Sequence, residues 1–387
     1  MTITKTRPEL NILTSSDRRR VLKTAAILGA AGALGKIGLA PITPAKAQSA
    51  KPIDYQIFNV EPTQLQSGIM LRNAKVAYKT YGHLAADKSN VIIEPSWYSG
   101  THTDMEPHIA PDKILDPSRY FIVAINMFGS GLSTSPSNSV APFDRKRYPK
   151  ITLTDNVRIH RQLLSKVFGI EKIAMVYGFS MGGQQAYHWG ALFPNQVERI
   201  CVVCGSAKTS PHNFVFLEGL KAALTADPLW QDDWFASPPL RGLRAFARIY
   251  AGWGPSQDFY REGLYKTLGS PTVEDHLVAF WENHFLQWDP NDLLAELWAW
   301  QNADISANEI YGGDLAKALG SIQAKALVMP GETDLYFRVA DSANEMKYLK
   351  RAELRPIPSI WGHLAGIPLS PEDGAFLAKG VHELLSS

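Results

Sequence analysis

The chain has 387 residues, 45% of them hydrophobic and 20% charged, with a formal net charge of +2. That length can bury one large core, and the hydrophobic share excludes a disordered chain. Residues 1–47 alone carry +6, which leaves −4 on the other 340 and excludes a basic nucleic-acid surface.

In chain order, Arg18-Arg19-Arg20-Val21-Leu22-Lys23 is a twin-arginine pattern, followed by a weakly apolar stretch, Thr24–Ala40, that Lys36 interrupts. Ala45-Lys46-Ala47 reads as a small-x-small cleavage site. Residues 1–47 are therefore expected to be an export signal cut after Ala47. This makes the twin-arginine export machinery a partner and the periplasm or the exterior the destination. The alternative is an uncleaved anchor. The stretch is short, glycine-rich and charge-broken, so it spans a bilayer poorly, and no stable membrane association is expected after cleavage.

Leading strands are predicted at Tyr55–Val60 and Met70–Tyr81, antiparallel to each other, then a short strand at Val91–Pro95. His102-Thr-Asp104-Met-Glu106-Pro-His108 holds four potential metal ligands, but without the H-x-x-x-H spacing of a helical zinc site. It is read as a solvated loop, with no metal expected. A buried strand follows at Tyr120–Asn126. Asp144-Arg-Lys-Arg147 is read as a solvated charge run, and Leu153–Val167 as a helix. Ile173–Tyr177 is a continuous apolar run of strand length, and Gln184–Trp189 can continue as a helix. Between them stands Gly178-Phe179-Ser180-Met181-Gly182. That is the layout of a nucleophile elbow, in which a serine on a sharp turn is pushed out of the fold and the flanking glycines allow strand and helix to approach.

Ile200–Val203 is the next strand. Cys201 and Cys204, three apart along it, are expected on opposite faces as buried free thiols. Residues 211–315 lack clear strands and hold seven of the ten tryptophans. Val273–Phe285 and Asp292–Gln301 have helical spacing there. The stretch is read as a helical cap, with most of its tryptophans in packing and two or three on an apolar pocket. Strands at Lys325–Pro330 and Glu353–Ile360 and a helix over Pro371–Leu385 complete the chain. The alternation predicts an α/β fold with a mostly parallel sheet flanked by helices. Its core is built from 48–210 and 316–387, with the cap at 211–315. There is no internal repeat.

In this architecture a catalytic triad runs serine, acid, histidine along the chain. His363 lies on the loop after the last strand and is the candidate base. Asp334 lies beyond the preceding strand, with Glu332 its competitor. His363 would take the Ser180 proton, and Asp334 would orient the imidazole. Backbone N–H groups of Met181 and of Tyr98, or of its rival Trp97, would bind the tetrahedral oxygen. No cofactor is called for.

Val76-Ala-Tyr-Lys-Thr-Tyr-Gly82, the run Pro111–Phe121, Ile151–Arg158 and Gly178–Gln184 together resemble the homoserine O-acetyltransferase branch of the α/β-hydrolase superfamily. The match is close over residues 60–210 and looser beyond. The resemblance implies the triad Ser180, Asp334 and His363 and favours the Tyr98 position. It departs after the histidine. There, members acting on homoserine usually carry an aspartate that holds the substrate ammonium, and this chain has Leu364, beside which an ammonium would be buried unpaired. The reading is an exported serine hydrolase acting on a small-molecule acyl substrate: an ester, a lactone or an amide. One alternative is an acyltransferase passing the acyl group to an alcohol or thiol. A second is a non-catalytic binding protein on the same scaffold. The cap could also supply a homodimer surface.

Overall fold

The computed structural model describes residues 54–387. The export signal expected over residues 1–47 lies outside them. Eight strands form one sheet: β1 (Gln56–Asn59), β2 (Lys75–Tyr81), β3 (Val91–Pro95), β4 (Phe121–Ile125), β5 (Met175–Phe179), β6 (Arg199–Val203), β7 (Lys325–Met329) and β8 (Ala352–Leu354). Their spatial order is β1-β2-β4-β3-β5-β6-β7-β8. β2 is antiparallel to both β1 and β4, and all other pairs are parallel. The central strands are buried on both faces, which is why they read as unbroken apolar runs. Alternate residues serve two cores. Ile92, Tyr177 and Leu327 face one, and Ile93, Val176 and Val328 face the other.

Helices of eight residues or more are α1 (Leu153–Leu163), α2 (Met181–Leu192), α3 (Pro211–Thr225), α4 (Leu240–Ala251), α5 (Pro290–Gln301), α6 (Val339–Met346) and α7 (Pro371–Leu385). Among the described residues no helix is long and apolar enough to cross a membrane. α1 and α2 pack on one face of the sheet; α7 and the cap pack on the other.

Several expectations need correction. Met70–Tyr81 is two strands, because Asn73 at φ 57 turns the chain between Met70–Leu71 and β2. The last strand is only Ala352–Leu354. Pro356 and Pro358 lack the N–H a ladder needs, and beyond Arg355 only Ile357 still reaches β7's end, donating to the Pro330 carbonyl at 2.8 Å. Cys201 and Cys204 are buried and free but belong to the same core, not opposite ones. Cys204 lies past the strand end at φ 44, so alternation no longer holds there.

The cap is mainly helical but holds one hairpin, Trp230–Gln231 against Trp234–Phe235. Asp232 and Asp233, at φ 52 and 58, make its tight turn. The cap's two ends meet. Thr209 N–H donates to Ala303 O at 2.9 Å and Ile305 N–H to Ala207 O at 3.1 Å, with Lys208 and Asp304 paired at 2.9 Å beside them. The chain thus re-enters the core at 303–305, ahead of residue 315. Ile305 and Tyr311 pack with the α1–α2 face.

Candidate active site

At the end of β5 the chain turns through Ser180 at φ 56, ψ −124 and enters α2 at Met181. A non-glycine residue there is strained by about 1–3 kcal/mol and persists only where its surroundings impose it. They do. A Cβ on Gly178 would stand 2.0 Å from the Gly182 carbonyl oxygen, and one on Gly182 would stand 2.7 Å from that of Pro95. Only glycine permits this crossing of strand, helix and neighbouring strand.

The structure brings the three distant side chains together. His363 Nε2 is 2.9 Å from Ser180 Oγ, and His363 Nδ1 is 2.6 Å from Asp334 Oδ2. Asp334 Oδ1 accepts the N–H groups of Tyr336 and Phe337, each at 3.0 Å, which fixes the carboxylate's rotation. The carboxylate requires a proton on Nδ1 and so leaves Nε2 as an acceptor for the serine hydroxyl. Ser180, Asp334 and His363 are each at most 4% exposed. Rings of Phe179 and Tyr336 flank the imidazole at 4.7 and 4.5 Å. Glu332, the competing acid, is exposed and contributes only its backbone N–H, to Ile357 O.

Met181 is the first residue of α2, where N–H groups lack intrahelical acceptors and the helix dipole favours negative charge. The facing loop follows β3. Its Ser96, Ser99 and Gly100 N–H groups are spent on Ile125 O, Glu296 Oε2 and Trp97 O. Those of Trp97 and Tyr98 have no acceptor among the described residues. Both candidates for the second donor therefore stand free. The Tyr98 ring is buried against the cap, stacked on Tyr250 at 6.1 Å, and its hydroxyl donates to Leu293 O at 3.3 Å.

A cavity of about 330 Å³ opens over Ser180 and His363. Phe179 and Leu364 wall it from the core, and Tyr250, Phe280, Trp281 and Phe285 from the cap. Of the seven cap tryptophans only Trp281 reaches it. The rest of the cap's share comes from Tyr250, Phe280, Phe285, His284 and Gly254, which the tryptophan count could not reveal. Trp230, Trp234 and Trp298 line a separate cleft of about 400 Å³, where the Lys150 ammonium sits 5.3 Å above the Trp298 ring.

The His102–His108 segment is not a solvated loop. His102 and His108 are buried, and His108 Nδ1 meets the buried Glu94 carboxyl at 2.5 Å, beneath the Trp97 ring. Burial pushes the Glu94 carboxyl up. Glu106 instead faces Lys79 and Tyr81, so the segment's potential ligands do not converge. Among the described residues the one convergent group is Cys204, Asp334 and His363, whose ligand atoms lie within 4.8 Å of one another. Two of those three already form the hydrogen-bonded chain to Ser180.

The profile of the alpha/beta hydrolase fold family matches residues 91–367. An ethyl acetate hydrolase of Pseudomonas veronii is 38% identical over 336 residues, covering 86% of this chain and 96% of its own. The crystal structure of an acetylester hydrolase from Corynebacterium glutamicum superposes with a TM-score of 0.84 at 38% identity, covering 86% of this chain and 96% of that one. A homoserine O-acetyltransferase of Caulobacter vibrioides is 29% identical, covering 84% of this chain and 92% of its own.

Proposed function

The chain belongs to the alpha/beta hydrolase fold family and is an esterase-like member of it, and from that premise we propose that it cleaves small carboxylic esters through an acyl-enzyme on Ser180. The observation that carries this reading is the unbroken hydrogen-bonded chain from Ser180 through His363 to Asp334. As Ser180 Oγ bonds to the ester carbonyl carbon, its proton passes to His363 Nε2, and Asp334 stabilises the imidazolium. The carbonyl oxygen, now an anion, takes the N–H of Met181 and that of Tyr98 or Trp97. Collapse expels the alcohol, protonated by His363. Water then adds its oxygen to the acyl carbon as its proton passes to the same nitrogen, and collapse breaks the bond to Ser180 Oγ, which regains that proton as the carboxylic acid leaves.

The acyl group is read as short. The cavity is at the small end of ligand sites and its walls are apolar. The relatives named for ethyl acetate and acetyl esters support the same choice. Leu364, buried on the cavity wall, offers nothing to an ammonium, which argues against homoserine as an acceptor. A chain-length series of p-nitrophenyl esters tests the reading, with activity expected to peak at acetate to butyrate. Ser180→Ala should lose on the order of a millionfold in kcat. Retained turnover in that variant overturns the assignment.

We read residues 1–47 as an export signal, on the Arg18-Arg19 pair and the Ala45-Lys-Ala47 site. Replacing Arg18 and Arg19 by lysine should trap the protein in the cytoplasm. An unchanged distribution between fractions counts against it.

A further inference from the structure

We propose that the cap is a working part of the oxyanion hole: Glu296, with His284, holds Ser99 and so sets where the N–H of the adjoining Tyr98 or Trp97 points. The inference rests on the serine-esterase reading above.

Ser99 sits at φ 52, a left-handed conformation that a residue with a Cβ does not adopt without compensation. Both compensating contacts come from the cap. Its N–H donates to Glu296 Oε2 at 2.9 Å, and its Oγ pairs with His284 Nε2 at 3.0 Å. Tyr98 beside it is anchored to α5 through Leu293 O. The loop that bears the second donor is thus bent into a strained shape by α5 and by the segment before it. These contacts span nearly two hundred residues of sequence; within the core the turn is closed by Gly100 N–H on Trp97 O, but among the described residues no core group hydrogen-bonds Ser99 itself.

Glu296 is suited to this task. It is fully buried, and only one of its carboxyl oxygens has a partner. Burial holds its carboxyl well above the usual carboxylate range. A neutral carboxyl group can accept the Ser99 N–H without a charge being buried. Gly129 backs it closely: a Cβ there would stand 2.9 Å from Glu296 Cγ, so the side chain has little room to swing away. Glu296 is a positioning residue. It touches no reacting atom and acts through Ser99.

The test compares Glu296→Met, similar in length but without an acceptor oxygen, with Glu296→Gln, which keeps one. With p-nitrophenyl acetate, Glu296→Met should lower kcat on the order of tenfold to a hundredfold, a part of what loss of a whole oxyanion donor does. KM should stay within about twofold, and Glu296→Gln should recover most of the rate. The deciding readout is a trifluoromethyl methyl ketone. Ser180 Oγ adds to its carbonyl carbon, the hydroxyl proton moves to His363, and the new oxyanion occupies the hole. Its affinity should fall by the same factor as kcat. Full kcat in Glu296→Met, or a lowered kcat with unchanged ketone affinity, overturns the proposal. If Glu296→Met does not fold, Ser99→Ala decides, since it keeps a Cβ at the strained φ 52 and removes the His284 contact. Unchanged kcat and ketone affinity there overturn it equally. Activity surviving in Ser180→Ala would instead refute the underlying reading, so the two failures are distinguishable.

Discussion

Around Ser180 the core packs backbone against backbone, with Gly178 on Gly182, Gly182 on Pro95 and Gly205 on Gly183. The cap packs ring against ring. Phe246 meets Phe285 edge-on at 4.9 Å, and Phe216 stacks on Trp253 at 4.9 Å. Backbone contacts tolerate no added atom, whereas aromatic clusters tilt and repack. The core can therefore keep the turn at Ser180 fixed, while the cap, beyond its contacts to Ser99, can change the shape of the space above it.

The sharpest way to break that division is to alter the core's chemistry without its shape. Asp334→Asn keeps the volume but favours the wrong imidazole tautomer. It should cost about 10⁴ in kcat, read by steady-state kinetics on p-nitrophenyl acetate with the thermal midpoint little changed. Next comes Gly178→Ala, a single methyl placed against a carbonyl. It should destabilise by more than about 3 kcal/mol, seen as loss of cooperative unfolding or of soluble protein. The cap should behave differently. Phe280→Ala removes a half-buried wall of the cavity and should raise the hexanoate-to-acetate ratio of kcat/KM by about tenfold or more, with chemistry on acetate nearly intact. A collapse of activity on all esters would mean that the cap is as rigid as the core.

A further effect is electrostatic and lies where the two regions join. Asp292 on α5 accepts the N–H and hydroxyl of Ser137, at 2.9 and 2.6 Å. Burial raises its carboxyl to about 7. The folded protein therefore holds this proton where the unfolded chain, with a carboxyl near 4, has lost it. From about pH 4 to 7 its contribution to stability should fall as pH rises, by at most about 1.4 kcal/mol per pH unit, and then level off. Asp292→Asn should flatten that part of the curve, measured as thermal midpoints from pH 4 to 8. Other buried carboxyls, such as Glu345, raised to about 8, act in both proteins and cancel in the comparison.

The same contrast explains what could be read from the amino-acid order. Buried parallel strands announce themselves as apolar runs, and strand order then limits where an acid and a base can hang. That Ser180, Asp334 and His363 would come together was legible for that reason. The Glu94–His108 pair was not. A glutamate at a strand end and a histidine after Pro107 carry no period that links them, and both look solvated. Glu296 and His284 were hidden more deeply, because their partner Ser99 is set by how the cap seats and not by any local pattern. The choice between Tyr98 and Trp97 also stays open, since neither neighbouring N–H is claimed by another acceptor. The error at Glu353–Ile360 had a local cause. Two prolines were in plain view, and the apolar residues around them outweighed their missing donors.

The paired neck at 207–209 and 303–305 has an evolutionary consequence. Because entry and exit share one doorway, closed by Thr209–Ala303 and Ile305–Ala207, the sheet is indifferent to how much chain lies beyond it. Roofs of other lengths could be grafted at that junction, from a relative or from a library, provided that the graft keeps groups in the places of Glu296 and His284 to hold Ser99. New substrate ranges would then arise by exchanging a module and not by redrawing the catalyst.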